Sequence, residues 1–131
     1  MKFAIQVNTS PYQSQAGDTA YQFIVAALAM GHQVFRVFFY YDGIYHALRK
    51  SMPPEDETQI SQRWSQLAAQ HDIDLVVCIS AAQRRGLLSQ DEVDRQDFKD
   101  NDLAPGFRIS GLGQLAEATL TTDRFIVFGG S

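Results

Sequence analysis

The 131-residue sequence predicts a three-layer α/β/α single domain spanning residues 1–131, built on a mostly parallel sheet of about five strands. Three observations predict it. Short apolar runs at residues 3–7, 34–39, 73–77, 107–109 and 125–128 alternate with stretches of helical periodicity. The connections between runs are long enough for the crossovers that parallel neighbours require. Residues 73–77 also read as one apolar, β-branched run, as suits a strand covered on both faces by helices.

Taken in order, residues 3–7 form the first strand, and Asn8-Thr9-Ser10-Pro11-Tyr12 opens a polar loop that ends it. Asp18 is the predicted N-cap of the first helix, and Ala20, Phe23, Ile24, Ala27 and Leu28 recur at helical spacing until Gly31 supplies a left-handed stop. Residues 34–39 are the second strand, and Phe38-Phe39-Tyr40-Tyr41 carries an aromatic cluster to its rim before an Asp42-Gly43 turn. Residues 44–48 fit a helical turn, and 51–57 a proline-broken acidic loop. Ile60, Trp64, Leu67 and Ala68 mark the next amphipathic helix, which leads into the strand at 73–77. A polar excursion follows at 89–102, then the short strand 107–109. Leu112, Leu115, Ala116 and Leu120 form a helical stripe, and 125–128 closes the sheet.

Composition narrows the function. With 45% hydrophobic residues the chain can bury a substantial core, and no repeat or linker marks a second domain. A formal charge of −4 argues against direct nucleic-acid binding. The single cysteine cannot form an internal disulfide, which places the chain in a reducing compartment. Met1-Lys2-Phe3-Ala4-Ile5 runs straight into a strand without a signal-like leader, and no apolar run reaches membrane-spanning length, so a cytoplasmic protein is expected.

The chemistry centres on Cys78. It follows the 73–77 run, at the strand end that in open α/β sheets faces the ligand crevice. Ser80 is the predicted N-cap of a helix through Ala81-Ala82-Gln83-Arg84-Arg85. A helix start and a folded-back Arg84 or Arg85 would favour the thiolate, which is the nucleophile. The other reading of Cys78 is a small buried hydrophobe. Cys78 and Arg84 also stand as Cys-x5-Arg, the spacing of cysteine phosphatases, but Ile79-Ser80-Ala81-Ala82-Gln83 lacks the glycine that lets such a loop curl round phosphate. Gly111-Leu112-Gly113-Gln114-Leu115-Ala116 matches a loose dinucleotide fingerprint, yet it comes too late in the chain, and tight turning with close helix packing accounts better for its glycines. His32, His46 and His71 are scattered without metal spacing, so no metal or cofactor is expected.

Several blocks then resemble one family: Lys2-Phe3-Ala4-Ile5; Val37-Phe38-Phe39-Tyr40 with Gly43-Ile44-Tyr45; Cys78 with Ala81-Ala82 and Arg84-Arg85-Gly86; Ser110-Gly111-Leu112-Gly113-Gln114-Leu115-Ala116-Glu117-Ala118; and Asp123-Arg124. In this order they resemble the DsrE/TusD family of small sulfur-transfer proteins over nearly the whole chain. The resemblance implies that Cys78 accepts a persulfide sulfur and passes it on. From the residues themselves, Ser80 and the N–H groups after it are candidates to hold the terminal sulfur, with Arg84 or Arg85 offsetting its charge. The resemblance also implies TusB-like and TusC-like subunits in a heterohexamer, a TusA-like donor and a TusE-like acceptor, in a relay toward 2-thiouridine at the wobble position of transfer RNA. A DsrE-like role in sulfur oxidation is the related possibility, and the match looks closer to the transfer-RNA branch. The chemistry needs an exposed rim that protein-borne thiols can reach.

Overall fold

The computed structural model describes residues 1–48, 60–86 and 103–130. The acidic stretch 51–57 and the polar stretch 89–102 lie outside the described residues. Strands β1 (Lys2–Val7), β2 (Gln33–Phe39), β3 (Asp74–Cys78), β4 (Phe107–Ser110) and β5 (Arg124–Phe128) form a sheet in the order β4-β3-β2-β1-β5. All four neighbouring pairs are parallel. Helices α1 (Ala16–Ala29), α2 (Ile60–His71), α3 (Ile79–Arg84) and α4 (Leu112–Thr121) connect them, with a 3-10 helix at Tyr41–Ala47. Each predicted strand is present to within a residue or so at either end.

The order of the strands dictates the layers. From β1 to β4 the chain steps steadily toward one edge, then returns through α4 to the opposite edge at β5. Right-handed crossovers place the returning helix on the other face from α1 and α2. Side chains agree: Phe3 packs edge-on against Phe23 of α1 and Phe39 against Trp64 of α2, whereas Arg36 and Arg108 reach Gln114 of α4. The apolar core lies on the α1/α2 face, where Ile5, Val7, Val37, Phe39, Leu75 and Val77 meet Ile24 and Trp64, all fully or almost fully buried. Each such side chain contributes roughly 1.5–3 kcal/mol by leaving water.

The other face is partly ionic, and it corrects the reading of 73–77 as unbroken apolar sequence. Asp74 lies within that run and accepts hydrogen bonds from Arg36 of β2 and Arg108 of β4. Arg36, itself buried, also donates to the Gln114 carbonyl and pairs with Glu117 at 3.1 Å. Strand alternation puts Asp74, Val76 and Cys78 on this same face. Here α4 turns Ala118 and part of Leu115 inward and leaves Leu112 and Leu120 outside. The predicted stripe of Leu112, Leu115, Ala116 and Leu120 therefore departs from the buried one because polar Gln114 shares the inner face.

Two helix starts also differ from expectation. Helix α1 begins at Ala16, whose N–H is accepted by the Ser14 hydroxyl at 3.1 Å. Asp18 sits within the first turn, where a carboxylate favours the positive helix end, and pairs with Arg63 of α2 at 2.9 Å. Ser80 is not the cap of α3, since Cys78 occupies that position with extended backbone. Gly31 does adopt a positive φ (87°) just past α1. Gly111 and Gly113 have open space where a Cβ would be and no positive φ, so neither tight turning nor close packing explains them.

Candidate functional site

Cys78 is the last residue of β3 and pairs in the ladder with Ser110, the last of β4. An interior parallel strand thus delivers the sulfur to the carboxyl edge of the sheet, where the β1 loop and the 3-10 helix after β2 also gather. Its surroundings differ from the expected open rim. Cys78 is 0% exposed, and its Sγ lies 3.4 Å from the Ser80 hydroxyl. Strand position was legible in the sequence, but depth was not, because the cover over a strand end comes from residues distant in the chain.

The supporting residues separate. Ser80 is beside the sulfur in the first turn of α3. Arg85 is turned to Asp42 of the 3-10 helix, donating from Nε at 2.8 Å, and to the Ala81 carbonyl at 3.2 Å. Arg84 is exposed. Residues 79–84 are helical, so the Cys-x5-Arg spacing spans a helix rather than a loop curled round an anion. That removes the cradle a cysteine phosphatase requires.

Sequence reasoning did not single out three neighbours of this edge. Asp42 reads in the sequence as part of a turn, and its partner Arg85 is 43 residues away. Ser110 joins Cys78 only through strand pairing. His46, which lacks metal-ligand spacing in the sequence, is buried, with Nδ1 3.2 Å from the Trp64 indole nitrogen and Nε2 3.0 Å from the Thr9 carbonyl. A buried tryptophan needs a partner for its N–H, and that is the one signal that pointed to such a residue. Among the described residues no three His, Cys, Asp or Glu side chains come together as a metal would need. An apolar groove of about 440 Å³ runs along Ser61, Ser65 and Ala69 of α2 to Ala104 and Pro105, and Cys78 does not line it. Among the described residues no helix is long and apolar enough to cross a membrane.

The DsrE/DsrF-like family model matches residues 1–128 of this chain. The chain is 53% identical over 129 residues to DsrE of Allochromatium vinosum, named as a predicted sulfurtransferase, covering 98% of this chain and 99% of that one. It is 43% identical over 128 residues to the sulfurtransferase TusD homologues of two Vibrio vulnificus strains, covering 98% of both partners. The crystal structure of the ychN protein from E. coli superposes with a TM-score of 0.74 at 23% identity, covering 98% of this chain and 99% of that chain, and supports the fold.

Proposed function

Because the chain belongs to the DsrE/DsrF-like family, we propose that it is a sulfurtransferase subunit that carries sulfane sulfur on Cys78. The observation that carries this reading is the position of the sole cysteine. It stands at the carboxyl end of an interior parallel strand, in a chain 53% identical to a protein named as a predicted sulfurtransferase. The Cys78 thiolate attacks the outer sulfur of a donor persulfide, the donor S–S bond breaks, and the donor leaves as a thiolate. The outer sulfur and its proton remain on Cys78, so no oxidant or reductant is consumed. Transfer onward repeats the exchange with an acceptor thiolate. Exchange depends on access to the attacked sulfur. A sulfur shielded in the resting chain is protected from adventitious thiols and has to be uncovered when a partner docks. The Ser80 hydroxyl, 3.4 Å from Sγ, supports a role for Ser80 in holding the carried sulfur.

Of the two destinations implied by the family resemblance, a DsrE-like sulfur-trafficking role in sulfur oxidation leads. The chain is 53% identical to the DsrE-named relative and 43% to the TusD-named ones. A relay toward wobble 2-thiouridine is the second destination. In that transfer-RNA case, TusB-like and TusC-like subunits complete a heterohexamer, with a TusA-like donor and a TusE-like acceptor.

Intact mass spectrometry after incubation with a persulfide donor tests the chemistry. The expected result is one added sulfur on the wild type and none on Cys78→Ser; equal addition to both, or to neither, overturns it. Burial of Cys78 favours one other reading, an assembly module with an inert thiol. That reading gains if Cys78→Ala preserves both the complex and sulfur delivery in cells.

A further inference from the structure

We propose that the Asp42–Arg85 ion pair is a latch that holds α3 closed over Cys78, and that releasing it opens the sulfur to a partner. The inference rests on the sulfur-carrying reading of Cys78 and concerns how that site is reached.

Three independent features meet at one strand end. The only cysteine is fully buried, although any group that exchanges with it must approach the sulfur itself. Cys78 is also the residue from which α3 departs, and Ser80 of that helix contacts Sγ. A rotation of α3 therefore pivots at Cys78 and carries part of its cover away. The helix has only six residues, too few to be stable by its own hydrogen bonds, so its position depends on what it is tied to. One tie is Arg85, beyond its last turn, to Asp42 in the 3-10 helix.

The far side of the tie is itself loaded. Asp42 follows Tyr41, a non-glycine residue at φ 48°, a backbone region that costs energy and persists only when neighbouring contacts enforce it. The Tyr41 ring stacks on Tyr40 with centroids 4.2 Å apart and is partly exposed. A partner that engages this aromatic edge can relax Tyr41 and shift Asp42 away from Arg85. The ion pair is well placed for such a role because it is solvent-accessible, with side chains 23% and 47% exposed. Pairs of this kind contribute little to stability; their loss can change a local opening equilibrium without unfolding the sheet.

The rate at which Ellman's reagent modifies Cys78 in the whole chain reads this opening without a sulfur donor. Asp42→Asn and Arg85→Gln are each expected to raise the rate about three- to fivefold, the value of one exposed ion pair, with the urea midpoint nearly unchanged. The double variant should react no faster than either single one, and the charge swap Asp42→Arg with Arg85→Asp should bring the rate back toward wild type. Added potassium chloride should accelerate the wild type and leave Asp42→Asn unaffected. Wild-type rates in both single variants, or acceleration that merely follows a lowered urea midpoint, would overturn the latch. Should wild type gain no sulfur from a persulfide donor while labelling still responds to Asp42→Asn, the sulfur-carrying reading fails and the latch stands. If sulfur loads and labelling ignores Asp42, the reverse holds.

Discussion

The indole Nε1 of Trp64 donates to Nδ1 of His46, which fixes the imidazole proton on Nε2, where it is donated to the Thr9 carbonyl. The ring is thereby a neutral connector between α2, the 3-10 helix and the loop after β1. Three segments separated in sequence are joined through one side chain that has no place for a second proton.

The first prediction follows from that tautomer. Burial, with a further push from Arg63 and against the hydrogen bond to Thr9, lowers the His46 pKa from 6.5 to about 4. Between these values the unfolded chain binds a proton that the folded chain does not, so stability falls as pH is lowered through the window. The expected loss from pH 7 to pH 4 is on the order of 3 kcal/mol. Urea unfolding followed by the fluorescence of the single tryptophan, Trp64, measures it. His46→Gln should have a flatter pH profile in that range despite lower stability at neutral pH.

Asp74 titrates lower. Its partial burial would raise its pKa, but hydrogen bonds from Arg108 and Arg36 and their charges outweigh this and hold it below its ordinary 3.8. Its contribution is complete above that value and is lost as pH falls through the lower folded value, so it does not overlap the His46 window. Replacing it leaves the buried Arg36 short of a counter-charge. Asp74→Asn is expected to cost about 2 kcal/mol by urea denaturation, and Glu117→Gln, at a half-exposed partner of the same arginine, less than about 1 kcal/mol.

Gly43 occupies a site with no room for a side chain. A Cβ there would fall within contact distance of the Val7 carbonyl oxygen and 2.8 Å from its carbon, and both are backbone atoms of the interior strand β1. Gly43→Ala should lower stability by about 2 kcal/mol or more, measured by the same denaturation.

The orientation of α4 can be tested by two substitutions two residues apart. Ala118 is 1% exposed and Leu120 84% exposed. Ala118→Leu should cost about 1–3 kcal/mol by overpacking, while Leu120→Ser should stay within about 0.5 kcal/mol for the isolated chain.

The strands were legible in the sequence because both faces of a parallel sheet are covered, so most of each strand must be apolar. The exception, Asp74, became intelligible only when strand order set Arg36 and Arg108 on either side of it. Helix starts were less legible: Asp18 and Ser80 are good capping residues, but Ser14 and the strand–helix junction at Cys78 set the boundaries instead. At the candidate site, the sequence identified the sulfur and its place along the strand. It carried no local signal for Asp42 facing Arg85 or for the depth of Cys78, since both arise from chain segments brought together by folding.

The position of β1 has a consequence for biosynthesis. Strand β1 is flanked by β2 and by β5, whose residues Arg124–Phe128 are translated more than a hundred positions later. One side of that nascent ribbon stays unpaired until β5 has cleared the exit tunnel, and co-translational folding has to protect that apolar edge in the meantime.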